Sequence, residues 1–136
     1  MKTITLCRSL LLLLPAGLLL LASGRAAAQT GPQVQVVHLA KLEIYPEQLA
    51  NYQVALKEHI ETALRVEPGV LTLYPVADAA QPTHITVLEI YASPAAYQAH
   101  LKAPHFLKYK TSTKAMVKSL ELLDTVPLLP ALKVKN

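Results

Sequence analysis

Two histidines in this sequence stand among the side chains best suited to move a proton. His100 and His105 are five residues apart, with Phe106 and Tyr109 just downstream and Glu89 and Tyr91 upstream. Imidazole accepts a proton readily near neutral pH, because its ordinary pKa is about 6.5. Glu89 sits in a β-branched stretch, where a carboxylate can orient a histidine or hold it protonated to stabilise a developing anion. Tyr91, Phe106 and Tyr109 offer ring faces and hydroxyls. The chemistry these types suit is acid–base catalysis on a small aromatic molecule.

Each residue also has a purely structural reading. His100 falls one turn after Tyr97 and suits the edge of a helix–sheet interface. His105 follows Pro104, where a histidine can satisfy local backbone groups. Glu89 pairs with a histidine or lysine in the structural case, and the three aromatics serve a core as well as a substrate wall. His38 interrupts an apolar row and reads first as a satisfied core histidine, with a place in the substrate pocket as its functional alternative. His59 and His84 read as surface positions. Lys110, Lys114 and Lys118 form an i, i+4 stripe, read as a solvated helix face, with attraction of an anionic substrate or lipid as its functional alternative.

Other chemistries lack their residues. On one continuous helix, positions five apart diverge by about 140°, so His100 and His105 do not match the i, i+4 zinc pair. No third ligand is evident, and no metal is expected. There is no glycine-rich phosphate loop and no G-x-S-x-G elbow, and the chain has only four glycines.

The elements that must position these residues follow from periodicity. Val34, Val36, Ala40, Leu42 and Ile44 alternate along one face of a strand over 34–45. Val37 and Leu39 make its other face apolar too. Pro46 and Glu47 suit a helix start. Leu49, Tyr52, Leu56, Ile60, Ala63 and Leu64 then recur at three and four, predicting an amphipathic helix that Pro68-Gly69 ends. Strands follow over 70–76 and 83–92, joined by a loop at 78–82. Ser93-Pro94 starts a second helix. Pro104 breaks it, and Phe106, Tyr109, Met116 and Leu120 continue an apolar face. A last strand spans 120–126.

The order β-α-β-β-α-β predicts an α+β, ferredoxin-like fold, an antiparallel sheet with its helices on one face. One helical layer leaves the apolar second face uncovered, which predicts a homodimer of the dimeric α+β barrel type.

Set on these elements, Leu88-Glu89-Ile90-Tyr91, Ala96-Tyr97, His100-Leu101, Pro104-His105-Phe106 and Tyr109 resemble the antibiotic biosynthesis monooxygenase family, in its quinol monooxygenase branch. Glu67-Pro68-Gly69-Val70 is similar to the family as well. The resemblance covers roughly residues 36–125. It implies a small dimeric ferredoxin-like protein that oxidises quinol-like aromatics with O₂ as co-substrate and without metal or flavin. For such a reaction the residues' own chemistry makes His100, His105 and Glu89 the catalytic candidates, and Tyr91, Phe106, Tyr109 and His38 the candidate substrate contacts. The family includes haem-degrading enzymes, whose tryptophan is absent here, as well as isomerases and proteins of other roles. A small-carbonyl isomerase and a non-catalytic binding dimer therefore remain alternatives. A dihydroxyarene can reduce O₂ itself once a phenolic proton is removed, so the protein needs only a base and an aromatic-lined pocket.

The first 28 residues read as a secretory signal peptide. Lys2 and Arg8 precede a leucine-rich run over 10–22, and Ala26-Ala27-Ala28 offers a small-residue cleavage site. The run spans roughly 18 Å as helix, short of about 30 Å of hydrocarbon. Export to the periplasm or medium is expected, without stable membrane insertion, and the intact mass of protein from its host tests it. Cleavage would remove three of the 13 basic residues and none of the nine acidic ones, leaving a net charge of +1 rather than +4. No basic patch for nucleic acid survives that loss. The single cysteine, Cys7, would leave as well. Residues 29–33 then form a polar lead, 34–126 the domain and 127–136 an irregular tail.

Overall fold

A computed structural model of the protein describes residues 34–129. The segment read as a signal peptide (1–28), the one read as a polar lead (29–33) and most of the one read as a tail lie outside the described residues. Strand β1 (Val36–Ile44) leads through a 3₁₀ turn (Pro46–Gln48) into helix α1 (Leu49–Val66). Strands β2 (Val70–Ala77) and β3 (His84–Tyr91) follow, then helices α2 (Pro94–His100) and α3 (Pro104–Thr113), and strand β4 (Val117–Thr125). The sheet order is β2-β3-β1-β4 with every neighbour antiparallel. This is the ferredoxin-like arrangement that the element order predicts.

Alternation decides which side chains meet the helices. His38, Ala40, Leu42 and Ile44 of β1 are buried, and they pair in register with Glu89, Val87 and Ile85 and with the 83–84 end of β3. Tyr52, Leu56, His59, Ile60 and Ala63 of α1 are buried, spaced so that one helix face receives them all. Leu64, assigned to that face from its spacing, is 48% exposed. Fully burying a leucine or isoleucine contributes about 1.5–3 kcal/mol, so this one layer of contact supplies much of the cohesion.

One boundary differs from the sequence reading. The last helix does not run on towards Leu120; α3 ends at Thr113 and β4 begins at Val117. Ser112 and Thr113 both turn their hydroxyls back to the Tyr109 carbonyl, at 3.1 and 2.8 Å, a local bond common in helices that are about to stop. The Met116 amide then closes a turn onto Thr113. Lys110, Lys114 and Lys118 are consequently not one helical stripe: Lys118 belongs to β4.

On the far face of the sheet, Val37, Leu39, Leu88 and Ile90 are half-buried while Tyr74 and Val76 are exposed. Among the described residues no helix is long and apolar enough to cross a membrane.

Candidate active site

A cavity of about 590 Å³ opens between the inner sheet face and helices α2 and α3. Its floor is Ala40, Leu42, Val87 and Glu89, its inner end Tyr91, Tyr97 and His100, and its helical wall Phe106, Tyr109 and Thr113. A mostly apolar concavity of this size with a few convergent polar groups suits a small aromatic ligand.

The histidines are organised by a residue to which the sequence reading gave no chemical part. Glu67 ends α1, its amide still bonded to the Ala63 carbonyl at 2.9 Å. Its Oε1 accepts hydrogen bonds from His100 Nδ1 at 2.8 Å and His105 Nε2 at 2.7 Å. The turn that follows is fixed by close packing. A Cβ on Gly69 would stand 2.6 Å from the Ala96 Cβ, so only glycine lets the start of β2 approach α2 this closely. The Gly69 carbonyl also receives the Ala92 amide at 2.9 Å. Pro68-Gly69 thus ends a helix and also sets Glu67 beside α2.

His100 is 2% exposed and lines the cavity, whereas Glu67 lies outside the cavity wall. The imidazole bridges the two. With Nδ1 donating to Glu67, the neutral ring keeps its lone pair on Nε2. Carboxylate, imidazole and apolar cavity in that order form a base with a fixed tautomer. Phe106 packs 4.9 Å and Tyr91 5.3 Å from the His100 ring, centroid to centroid.

His105 does not line this cavity; it faces a crevice of about 20 Å³ with His59 and Lys108. Its part in the geometry is the second hydrogen bond to Glu67. Glu89 hydrogen-bonds neither His100 nor His105. Its Oε2 accepts from the Tyr91 hydroxyl at 3.0 Å, and burial pushes its carboxyl above the usual carboxylate range, with Tyr91 and then His38 and His100 pulling it back. Tyr91 in turn is raised by burial and by Glu89. His38 also lies outside the cavity. Its Nε2 stands 3.0 Å from Asp124 Oδ1 and its ring packs edge-on to Tyr97 at 4.6 Å, so it supports a wall residue.

His59, read from sequence as a surface position, is buried in the middle of this group. Its ring stacks on Tyr109 at 4.6 Å and 10°, and lies 5.3 Å from His100 and 5.4 Å from His105. Burial, then the two neighbouring imidazoles, lower its pKa to about 4. Tyr109 donates or accepts a 2.6 Å bond with the Tyr52 hydroxyl, tying α3 to α1, and burial raises its own pKa. Spacing could have found His59, since positions 52, 56, 59, 60 and 63 form one helix face.

Glu67 is also the third donor missing from any metal set in the sequence. Its carboxylate and the two imidazoles place their ligand atoms within 4.8 Å of one another. Around zinc, bonds of about 2.0–2.1 Å put tetrahedral ligand atoms roughly 3.4 Å apart. The 2.7 and 2.8 Å separations here are those of two N–H donors on one oxygen.

A family profile for antibiotic biosynthesis monooxygenases matches residues 35–112. A solved structure from Bacteroides thetaiotaomicron, provisionally named for that family, is 51% identical, with 77% of this chain and all of that one covered at a TM-score of 0.74. One from Lactobacillus acidophilus, provisionally named a monooxygenase, is 28% identical over 70% of this chain and 47% of its own length, at a TM-score of 0.67. One from Caulobacter crescentus shares the fold at 22% identity and a TM-score of 0.63, with 71% and 93% of the two chains covered. No curated protein matches the sequence.

Proposed function

The chain belongs to the antibiotic biosynthesis monooxygenase family, and from that premise we propose that it oxidises a quinol-type dihydroxyarene with O₂, using His100 as base and neither metal nor flavin. The observation that carries this reading is the Glu67–His100 pair, a carboxylate-held imidazole presented to an aromatic-lined cavity. His100 Nε2 takes a phenolic proton, and the electron-rich phenolate then reduces O₂. For a dihydroxynaphthalene the products are a hydroxynaphthoquinone and water, with one oxygen atom in each. Glu67 fixes the tautomer and compensates the imidazolium that forms. His105 and Tyr91 hold Glu67 and Glu89 in place, and Phe106 and Tyr109 pack against the substrate ring. The apolar floor keeps water from competing for the phenolate.

Oxygen uptake tests the reading. The purified protein should consume one O₂ per dihydroxynaphthalene oxidised, at a rate unchanged by a chelator such as EDTA. Binding without O₂ consumption would favour the non-catalytic dimer, and loss of activity on chelation would count against the metal-free route.

We also propose that the chain works as a homodimer, because the far sheet face exposes Tyr74 and Val76 beside half-buried Val37, Leu39, Leu88 and Ile90. Light scattering at micromolar concentration should give twice the chain mass. A monomer mass, or a Tyr74→Glu variant as dimeric as the wild type, would reject this face.

A further inference from the structure

The cavity is chemically lopsided. His100, Tyr91 and Tyr97 crowd its inner end, with Glu89 on the floor beside Tyr91, and Lys110, Lys114 and Lys118 line it towards the end of α3. Lys110 and Lys114 follow Phe106 by one and two turns, about 6 and 12 Å of helical rise away. Lys118 is already paired, its Nζ donating to Glu43 at 2.6 Å. Among the described residues, neither Lys110 nor Lys114 has a carboxylate partner. The Lys110 ammonium stands 6.0 Å over the Phe106 ring, so it leans back along the wall towards Phe106, and Lys114 lies beyond it. Among the described residues Glu89 is the only carboxylate lining the cavity, and it lies towards the Tyr91 end.

We propose that the cavity takes a fused-ring arene bearing a carboxylate or similar anionic group on the end remote from its reacting hydroxyl, and that Lys110 and Lys114 hold that group. This rests on the cavity being the substrate site, and it adds which substrates the site prefers. The apolar floor and aromatic wall hold the rings, and a cavity of about 590 Å³ that runs on from Phe106 to Lys114 has room for a body longer than one ring. A competing role for the lysines is to offset the negative end of the α3 dipole, which would affect stability and leave ligand choice alone.

Anaerobic calorimetry separates these roles without turnover. The probes are a dihydroxynaphthalene and its analogue with a carboxylate on the far ring. The wild type should bind the carboxylated probe about three- to tenfold more tightly, the range for two partly exposed charges. That preference should shrink in about 0.5 M NaCl. In a Lys110→Gln/Lys114→Gln variant the ratio of the two dissociation constants should fall to about one, and paired arginine substitutions should restore it. Equal affinities in the wild type, or a preference that survives the double glutamine variant, would overturn the proposal. Preferential binding with no O₂ uptake would sink the oxygenase reading alone. Failure to bind either probe would sink both.

Discussion

Replacing His100 with glutamine is expected to lower the oxidation rate by about 10²–10⁴, the usual share of a positioned general base. Glutamine keeps most of the volume and can hydrogen-bond Glu67, but it offers no basic nitrogen to the cavity. Glu67→Gln should slow the reaction by a different route. Its amide oxygen can still accept from both imidazoles in place of Oε1, but the neutral amide no longer compensates the imidazolium that forms. Both variants should fold, since one altered buried hydrogen bond in His100→Gln, or two weakened but kept in Glu67→Gln, costs about 1–3 kcal/mol. Oxygen uptake and a thermal melt on the same preparations check the pair. Full activity in His100→Gln would mean that the substrate ionises unaided and that the protein contributes orientation only.

The second large effect is on stability in acid. His59 has a folded pKa of about 4, against an ordinary value near 6.5. Between those values the unfolded chain binds a proton that the folded one refuses, so this group's contribution is intact above about pH 6.5 and is lost as the pH falls towards 4. A shift of that size corresponds to at most about 3 kcal/mol. Glu89 has the opposite sign. Its raised pKa favours the folded state at low pH and costs stability as the pH climbs past the ordinary carboxylate range. Wild type minus His59→Phe isolates the histidine, because Glu89, His100 and His105 are present in both. Phenylalanine keeps the stack on Tyr109 and cannot be protonated. Urea unfolding at pH 7 and pH 4 should show the wild type losing up to about 3 kcal/mol more than His59→Phe. Parallel losses would mean that His59 is reached by water and titrates normally.

The sequence by itself determined the order and type of the elements. Each rests on short-range patterns: period two in β1 and β3, three-and-four spacing in α1, serine and proline at the start of α2. Ser93 does cap α2, its Oγ accepting from the Ala96 amide at 3.1 Å, as the dipeptide predicts. The sequence also singled out His100 and the residues around it, since histidine beside aromatics needs no distant information to be noticed. The α3–β4 boundary failed for a physical reason. Met116 and Leu120 fit a helical face by spacing, but Ser112 and Thr113 spend their hydroxyls on the Tyr109 carbonyl and the chain turns.

Only the tertiary structure decided what each titratable group faces. His59 reads as a surface position from the sequence, yet α1 packs against α3 and closes over it. Glu67 is 33 residues from His100 and 38 from His105, and no local pattern joins residues so far apart. Glu89 looked like the partner of a histidine, but strand alternation sends it to the sheet floor, where Tyr91 is its partner. Lys110, Lys114 and Lys118 repeat at four, but the helix ends at Thr113, before the period is complete. Their place along one cavity depends on how β4 returns beside β1, and that return is a long-range pairing set by the whole sheet.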